Sequence, residues 1–186
     1  MHEGKKSVVL GVTGGIAVYK SADLCSKLTG RGYDVCVVMT RNAEKLISPR
    51  IFLTLSRNPV LCDLFDEPEW KPHHVELAER ADLLLVAPAT ANFLGKYANG
   101  IADDALSTLA VAYRGKTLLA PAMNSGMWRS PAVQGNCEKL RSWGVRFAGP
   151  AAGKLACGTD GEGRMSEPAE ILEAVEKILG EPAGAL

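Results

Sequence analysis

Five short segments of this 186-residue chain carry residue types that can do chemistry. Gly11 to Lys20, GVTGGIAVYK, is a glycine turn between an apolar run and an amphipathic stretch. Glycines at such a turn let backbone N–H groups approach a phosphate at a helix N-terminus. The segment is not a G-x-G-x-x-G dinucleotide fingerprint, and a tight strand-to-helix connection explains the same residues. In ADLLLVAPATANFLGKYANGIADD, Ala81 to Asp104, Pro88 is expected to end an apolar strand. Thr90 and Asn92 then offer a hydroxyl and an amide to a phosphate or heteroaromatic ring, or Thr90 simply caps the next helix. PAMNSGMW, Pro121 to Trp128, sets two Met and a Trp around Asn124, an apolar pocket with one amide. The Met and Trp can be plain core, but a buried amide needs partners. His73 and His74 are adjacent, so they point apart, and no third ligand is near; no metal is expected. One of them suits an acid, base or orienting role, and His73 also reads as a surface residue. KLACGTDGEGRM, Lys154 to Met165, places Cys157 in a glycine-rich loop with the character of a lid. A thiol there can donate a proton or attack, or be incidental.

Composition bounds what these segments can serve. Twenty-one Lys and Arg balance 21 Asp and Glu, which argues against a general nucleic-acid binder. Apolar residues at 47% and charged residues at 23% exclude a disordered chain. The length fits one domain, residues 1–186, with a real core. No apolar run approaches the ~18 residues of a membrane span. The first dozen residues lack the long apolar core and cleavage site of a signal peptide. The five cysteines are odd in number, with no C-x-x-C, which fits a reducing, cytoplasmic setting without disulfides or structural zinc. Cys25, Cys36, Cys62 and Cys137 read as buried small hydrophobes.

The elements that must position these residues alternate. Strands are expected at 7–12, 35–39, 59–64, 82–87, 116–120 and 145–148. Helical spacing covers 16–29, 44–56, 75–80, 91–97, 104–113, 131–143 and 168–179, and 151–165 reads as a loop. Near-continuous apolar strands between helices give an α/β fold. It is a doubly wound, mainly parallel sheet with helices on both faces, a Rossmann-like or flavodoxin-like three-layer sandwich. The unusual residues cluster just after strands, where such folds bind ligands.

Together these residues resemble the homo-oligomeric flavin-containing cysteine decarboxylases, the phosphopantothenoylcysteine decarboxylases among them, over about Ser7 to Leu179. The P-x-M-N-x-x-M-W motif stands at Pro121 to Trp128, the His-aliphatic-Glu-Leu motif at His74 to Leu77, and the lid motif at Leu155 to Met165. The resemblance implies FMN, held by Gly14, Gly15, Ile16, Thr90, Ala91, Asn92 and Phe93, with Thr40, Arg41 and Asn42 along the same crevice and Ala122 near the ring. It implies decarboxylation of 4'-phosphopantothenoylcysteine to 4'-phosphopantetheine in coenzyme A biosynthesis, through thioaldehyde and ene-thiolate intermediates. His74 is then base or orienting group, Asn124 holds the substrate carboxylate, and Cys157 supplies the final proton. Met127 and Trp128 shape the pocket, and Ala156, Gly158 and Arg164 clamp the substrate. It further implies a trimer or dodecamer and a ligase partner, fused or acting in trans. Thr159 and Asp160 lie where acidic residues are commoner in the family. A peptidyl-cysteine decarboxylase is an alternative that Cys157 argues against. A flavin prenyltransferase is disfavoured by the motifs of Pro121 to Trp128 and the lid, and a regulatory flavoprotein by the lack of an acidic tail.

Overall fold

The computed structural model describes residues 4–64, 73–154 and 160–180. In chain order the elements are β1 (Ser7–Val12), α1 (Val18–Gly30), β2 (Asp34–Met39), α2 (Arg41–Glu44), α3 (Pro49–Ser56), β3 (Val60–Leu61), α4 (His73–Arg80), β4 (Leu83–Ala89) and α5 (Ala91–Ala98). Then come α6 (Ala105–Ala112), β5 (Lys116–Pro121), α7 (Ser125–Trp128), α8 (Pro131–Ser142), β6 (Arg146–Phe147), β7 (Ala151–Lys154), β8 (Asp160–Arg164) and α9 (Pro168–Gly180). Six strands form one parallel sheet in the order β3-β2-β1-β4-β5-β6. That is the Rossmann winding, with its topological switch between β1 and β4.

Strand side chains alternate between two cores, as the pleat requires. Val8, Leu10, Leu83, Leu85 and Leu118 pack under α1, α3 and α9 with Leu24, Phe52 and Ile171. Val9, Leu84, Val86 and Leu119 face α5, α6 and α8 with Phe93, Leu106 and Leu140. Lys6 and Lys116 reach from the amino ends of β1 and β5 to the last carbonyls of α9, at Leu179 and Ile178. Cations there complement the negative end of the helix dipole. Lys96 on α5 bridges to Asp103 at 2.6 Å and to Asp104 at 2.7 Å. Asp104 also caps α6 by accepting the Ser107 N–H. Burial pushes the Asp104 carboxyl up, but the bonds from Lys96 and Ser107 outweigh it and hold it below its ordinary range.

The structure departs from the sequence reading at four places. The helical stretch 44–56 is two helices, because Ser48 precedes Pro49, stays extended, and caps α3. The strand expected at 59–64 shortens to Val60–Leu61. Pro88 does not end its strand: β4 continues to Ala89, with the register break falling between Val86 and Ala89. Pro88 lies in that break, where a residue without an N–H costs no ladder bond. Residues 151–165 are not simply a loop, since β7 and β8 form an antiparallel hairpin. Among the described residues no helix is long and apolar enough to cross a membrane, and no group of His, Cys, Asp and Glu is placed to hold a metal ion.

Leu85 is fully buried at the centre of the sheet. Leu85→Ala should lower unfolding stability by about 3 kcal/mol, read as a lower urea midpoint at unchanged slope. Asp104 is the opposite case, a polar contribution tied to pH. Its folded pKa lies below its unfolded one, so its contribution is complete above the ordinary carboxylate pKa of about 4 and is lost as pH falls through the folded value. Asp104→Asn should therefore be less stable than the parent at pH 7, with the gap closing below about pH 4 in urea melts across that range.

Candidate active site

The carboxyl ends of β1, β4 and β5 open into one crevice of about 1430 Å³. Its floor is the switch point itself. The Thr13 hydroxyl donates to the Pro88 carbonyl at 2.7 Å and accepts the Thr90 N–H at 3.3 Å, joining the loops after β1 and β4. Gly14 is pressed against the first turn of α2: a Cβ there would lie 2.5 Å from Asn42 Cβ and 2.8 Å from the Asn42 carbonyl carbon. Gly15 differs. A Cβ on it would meet only Thr90 Cγ2 at 3.4 Å and the Pro88 ring. The pair leaves a shallow cradle between the start of α1 and Thr90, which fits the phosphate end of a nucleotide-like group.

Three of the polar residues expected to bind are helix caps on the rim. The Thr40 hydroxyl accepts the Ala43 N–H at 3.3 Å, the Thr90 hydroxyl accepts the Phe93 N–H at 3.4 Å, and Asn124 Oδ1 accepts the Gly126 N–H at 2.7 Å. Each bond fixes a side chain that also lines the crevice. Gly14, Gly15, Ile16, Thr40, Arg41, Asn42, Thr90, Ala91, Asn92, Phe93, Ala122, Asn124, Met127 and Arg164 all line it, so most of the expected set converges. His74 lies in α4, but its side chain is outside the described residues, as are Ala156, Cys157 and Gly158.

Two expectations are corrected. Trp128 does not shape the pocket: it is buried in the core beneath α7 and α8, while Met127 on the same turn faces the crevice. Cys62 is not fully buried: it is half-buried, packed against the core on one side and lining the crevice on the other. The other thiols follow the expectation more closely. Cys25 and Cys137 are buried and Cys36 half-buried, and burial pushes Cys25 and Cys36 up to about 11.

The sequence reading missed Tyr19, Lys20, Asp63, Lys96 and Asp103, which also line the crevice. Ile16, Tyr19 and Lys20 share one face at helical spacing, and Cys62 and Asp63 follow a strand just as Thr13 and Thr90 do. Applying the strand-end rule to β3 finds the latter pair. Lys20 is almost wholly buried and bridges Glu167 at 2.9 Å, and Arg164 pairs with the same carboxylate. Lys20 first and Arg164 second hold the Glu167 carboxyl below its ordinary range. Arg41 stands 3.9 Å from Asp63 at the opposite rim. The crevice thus pairs a glycine cradle and four cations, Lys20, Arg41, Lys96 and Arg164, with an apolar wall of Phe93, Ala122, Met123 and Met127, interrupted by the Asn124 amide. It can hold an anionic group at one end and a flat ring beside the apolar wall.

Comparison with known proteins agrees with this chemistry. The chain is 46% identical over 181 residues to the coenzyme A biosynthesis bifunctional protein CoaBC of Bacillus subtilis, covering 97% of this chain and 45% of that protein. The CoaBC protein of Escherichia coli K12 is 43% identical over 169 residues, 90% of this chain and 42% of the relative. The chain therefore spans less than half the length of these curated relatives. Among solved structures, a cysteine-to-serine variant of a PPC decarboxylase complexed with pantothenoylaminoethenethiol matches with a TM-score of 0.85 at 28% identity, covering 95% of this chain and 100% of that one. The FMN-dependent cysteine decarboxylase SpaF matches with a TM-score of 0.80 at 31% identity, covering 96% and 97%. A family model described as flavoprotein spans residues 1–180, and this chain belongs to the flavoprotein family.

Proposed function

We propose that this chain is an FMN-dependent carboxy-lyase that converts 4'-phosphopantothenoylcysteine to 4'-phosphopantetheine in coenzyme A biosynthesis. One observation carries the reading: the glycine cradle at the switch point, the Asn124 turn and Arg164 of the hairpin face a single crevice. The likeness to the CoaBC relatives and to the PPC decarboxylase supports the substrate.

Gly14, Gly15, Ile16, Thr90, Ala91 and Asn92 hold the FMN phosphate, with Thr40, Arg41 and Asn42 along the same wall. Phe93 and Ala122 flank the ring. FMN, when bound, supplies a reversible two-electron oxidation of the substrate thiol. Asn124 binds the substrate carboxylate, and its fixed Oδ1 sets which end of the amide faces the turn. His74 takes the thiol proton or orients the thiol. With the sulfur-bearing carbon at the thioaldehyde level, carbon dioxide leaves and its electron pair passes to sulfur, giving an ene-thiolate. Cys157 returns a proton as the ene-thiolate is reduced. Met127 walls the pocket, and Ala156, Gly158 and Arg164 contact the substrate. The net reaction breaks one carbon–carbon bond with no net redox change. The exposed apolar side chains Ile16, Tyr19 and Met127 around the open crevice support packing against a further copy, as a trimer or dodecamer. A ligase, fused or in trans, supplies the substrate, and the setting is the cytoplasm.

FMN-loaded protein incubated with phosphopantothenoylcysteine should yield a product lighter only by carbon dioxide, by mass spectrometry. Cys157→Ser should accumulate the ene-thiol instead. A parent protein that releases only ene-thiol would move the reading to a peptidyl-cysteine type, and no turnover with FMN bound would overturn it. Gly14→Ala should weaken FMN binding at least tenfold, about 1.4 kcal/mol, because its Cβ meets the Asn42 backbone. Gly15→Ala should weaken FMN binding while leaving apoprotein stability closer to the parent than Gly14→Ala does, since its Cβ makes only ordinary contact with Thr90 and Pro88 but stands in the cradle. Fluorescence titration of apoprotein with FMN compares the two.

A further inference from the structure

The hairpin strand β8 lies directly on the turn that presents Asn124. The Met123 N–H donates to the Gly163 carbonyl at 2.9 Å. A Cβ on Gly163 would lie 2.3 Å from the Met123 carbonyl oxygen and 3.4 Å from the Asn124 carbonyl carbon. Gly163 also has φ +135°, a backbone conformation that side chains rarely adopt. Two residues earlier on β8, across the register break that leaves Gly163 unpaired in the ladder, a Cβ on Gly161 would lie 2.3 Å from Ser125 Oγ and 3.2 Å from Ser125 Cβ. That hydroxyl is buried and has no hydrogen-bond partner among the described residues. A buried hydroxyl without a partner is unfavourable, and here it sits beneath the strand. The C-terminal end of β8 is separately fixed. Met165 is buried in the core, and Lys20 reaches both its carbonyl, at 3.2 Å, and Glu167.

We propose that β8 is the positioning element of the carboxylate-binding turn, with Gly161 and Gly163 as positioning residues that act through Asn124 and register against Ser125. This rests on the reading of Asn124 as the carboxylate site. The absence of side chains at Gly161 and Gly163 lets the strand approach to backbone contact. The Met123–Gly163 hydrogen bond sets the height of the turn, and the Ser125 contact sets its lateral place. Asn124, between them, inherits both. The hairpin therefore determines where the amide stands before any substrate arrives.

Kinetics of FMN-loaded variants test this. Gly161→Ala should raise KM for phosphopantothenoylcysteine at least tenfold, with kcat changed less and FMN affinity within twofold of the parent. Adding Ser125→Ala should recover at least half of that loss on a logarithmic scale, because it removes the atom the new methyl meets. Gly163→Ala should lose more and should not be rescued by Ser125→Ala, since its obstruction is backbone. Ser125→Thr crowds the same contact from the other side and should raise KM likewise, which keeps the test open if Gly161→Ala fails to fold. Hydrogen exchange of the Met123 amide reads the interlock without turnover: protection should fall at least tenfold in Gly161→Ala and return in the double variant. Parent-like KM and protection in Gly161→Ala and Ser125→Thr would overturn the proposal, as would a loss that Ser125→Ala leaves untouched. A parent protein that protects Met123 as described but does not turn over the substrate would overturn the assignment of Asn124 and leave the interlock standing.

Discussion

The Thr13 hydroxyl ties the two halves of the sheet together at the point where they diverge. Chain order runs outward from β1 through β2 to β3, then returns to β4 and runs outward again to β6. The loops after β1 and β4 are therefore free of any further strand between them, and a gap opens at their carboxyl ends. Thr13 spans it by donating to the Pro88 carbonyl and accepting from Thr90. Gly15 can face an open cradle only because that floor is fixed. Phe93 and Thr90 start α5 from the same place, so the apolar wall is tied to the same stitch.

Around that floor the crevice is assembled from short pieces rather than long helices. Two four-residue helices, α2 and α7, bring Thr40 and Asn124 to the rim, and each is begun by the cap residue that also faces the cavity. Capping fixes the side chain by one hydrogen bond and spares a long structural support. The hairpin adds the last side, braced by Lys20 against Glu167 and Met165. Charge is kept paired. Lys96 faces two carboxylates and Lys20 one, so the crevice presents directed cations without an unbalanced interior charge.

The sheet and its two cores were legible because burial leaves a periodic trace. Leu83 to Val86 is apolar at every position and reads as a strand covered on both faces, and Ile171, Leu172, Val175 and Ile178 trace one face of a helix. The crevice residues after β1, β4 and β5 followed from the strand-end rule and from motif resemblance. What failed has a physical cause. Ala151–Lys154 and Asp160–Arg164 are small and charged, with no apolar alternation, and are strands because β8 docks on the Met123 turn. Trp128 and Met127 are neighbours on a single turn, too short for periodicity to show which faces the core. Lys96 was invisible as a crevice residue because its partners, Asp103 and Asp104, lie seven and eight positions away across a turn.

The two lysines that close α9 settle a matter of geometry beyond stability. Lys6 and Lys116 stand at the amino ends of β1 and β5, and they hold the final carbonyls of α9 at that pole of the molecule. The crevice is at the other pole, one strand length or about 20 Å away. Gly180 therefore ends α9 on the side of the sheet opposite the crevice, so the length and packing of this last helix can vary without reshaping the crevice mouth.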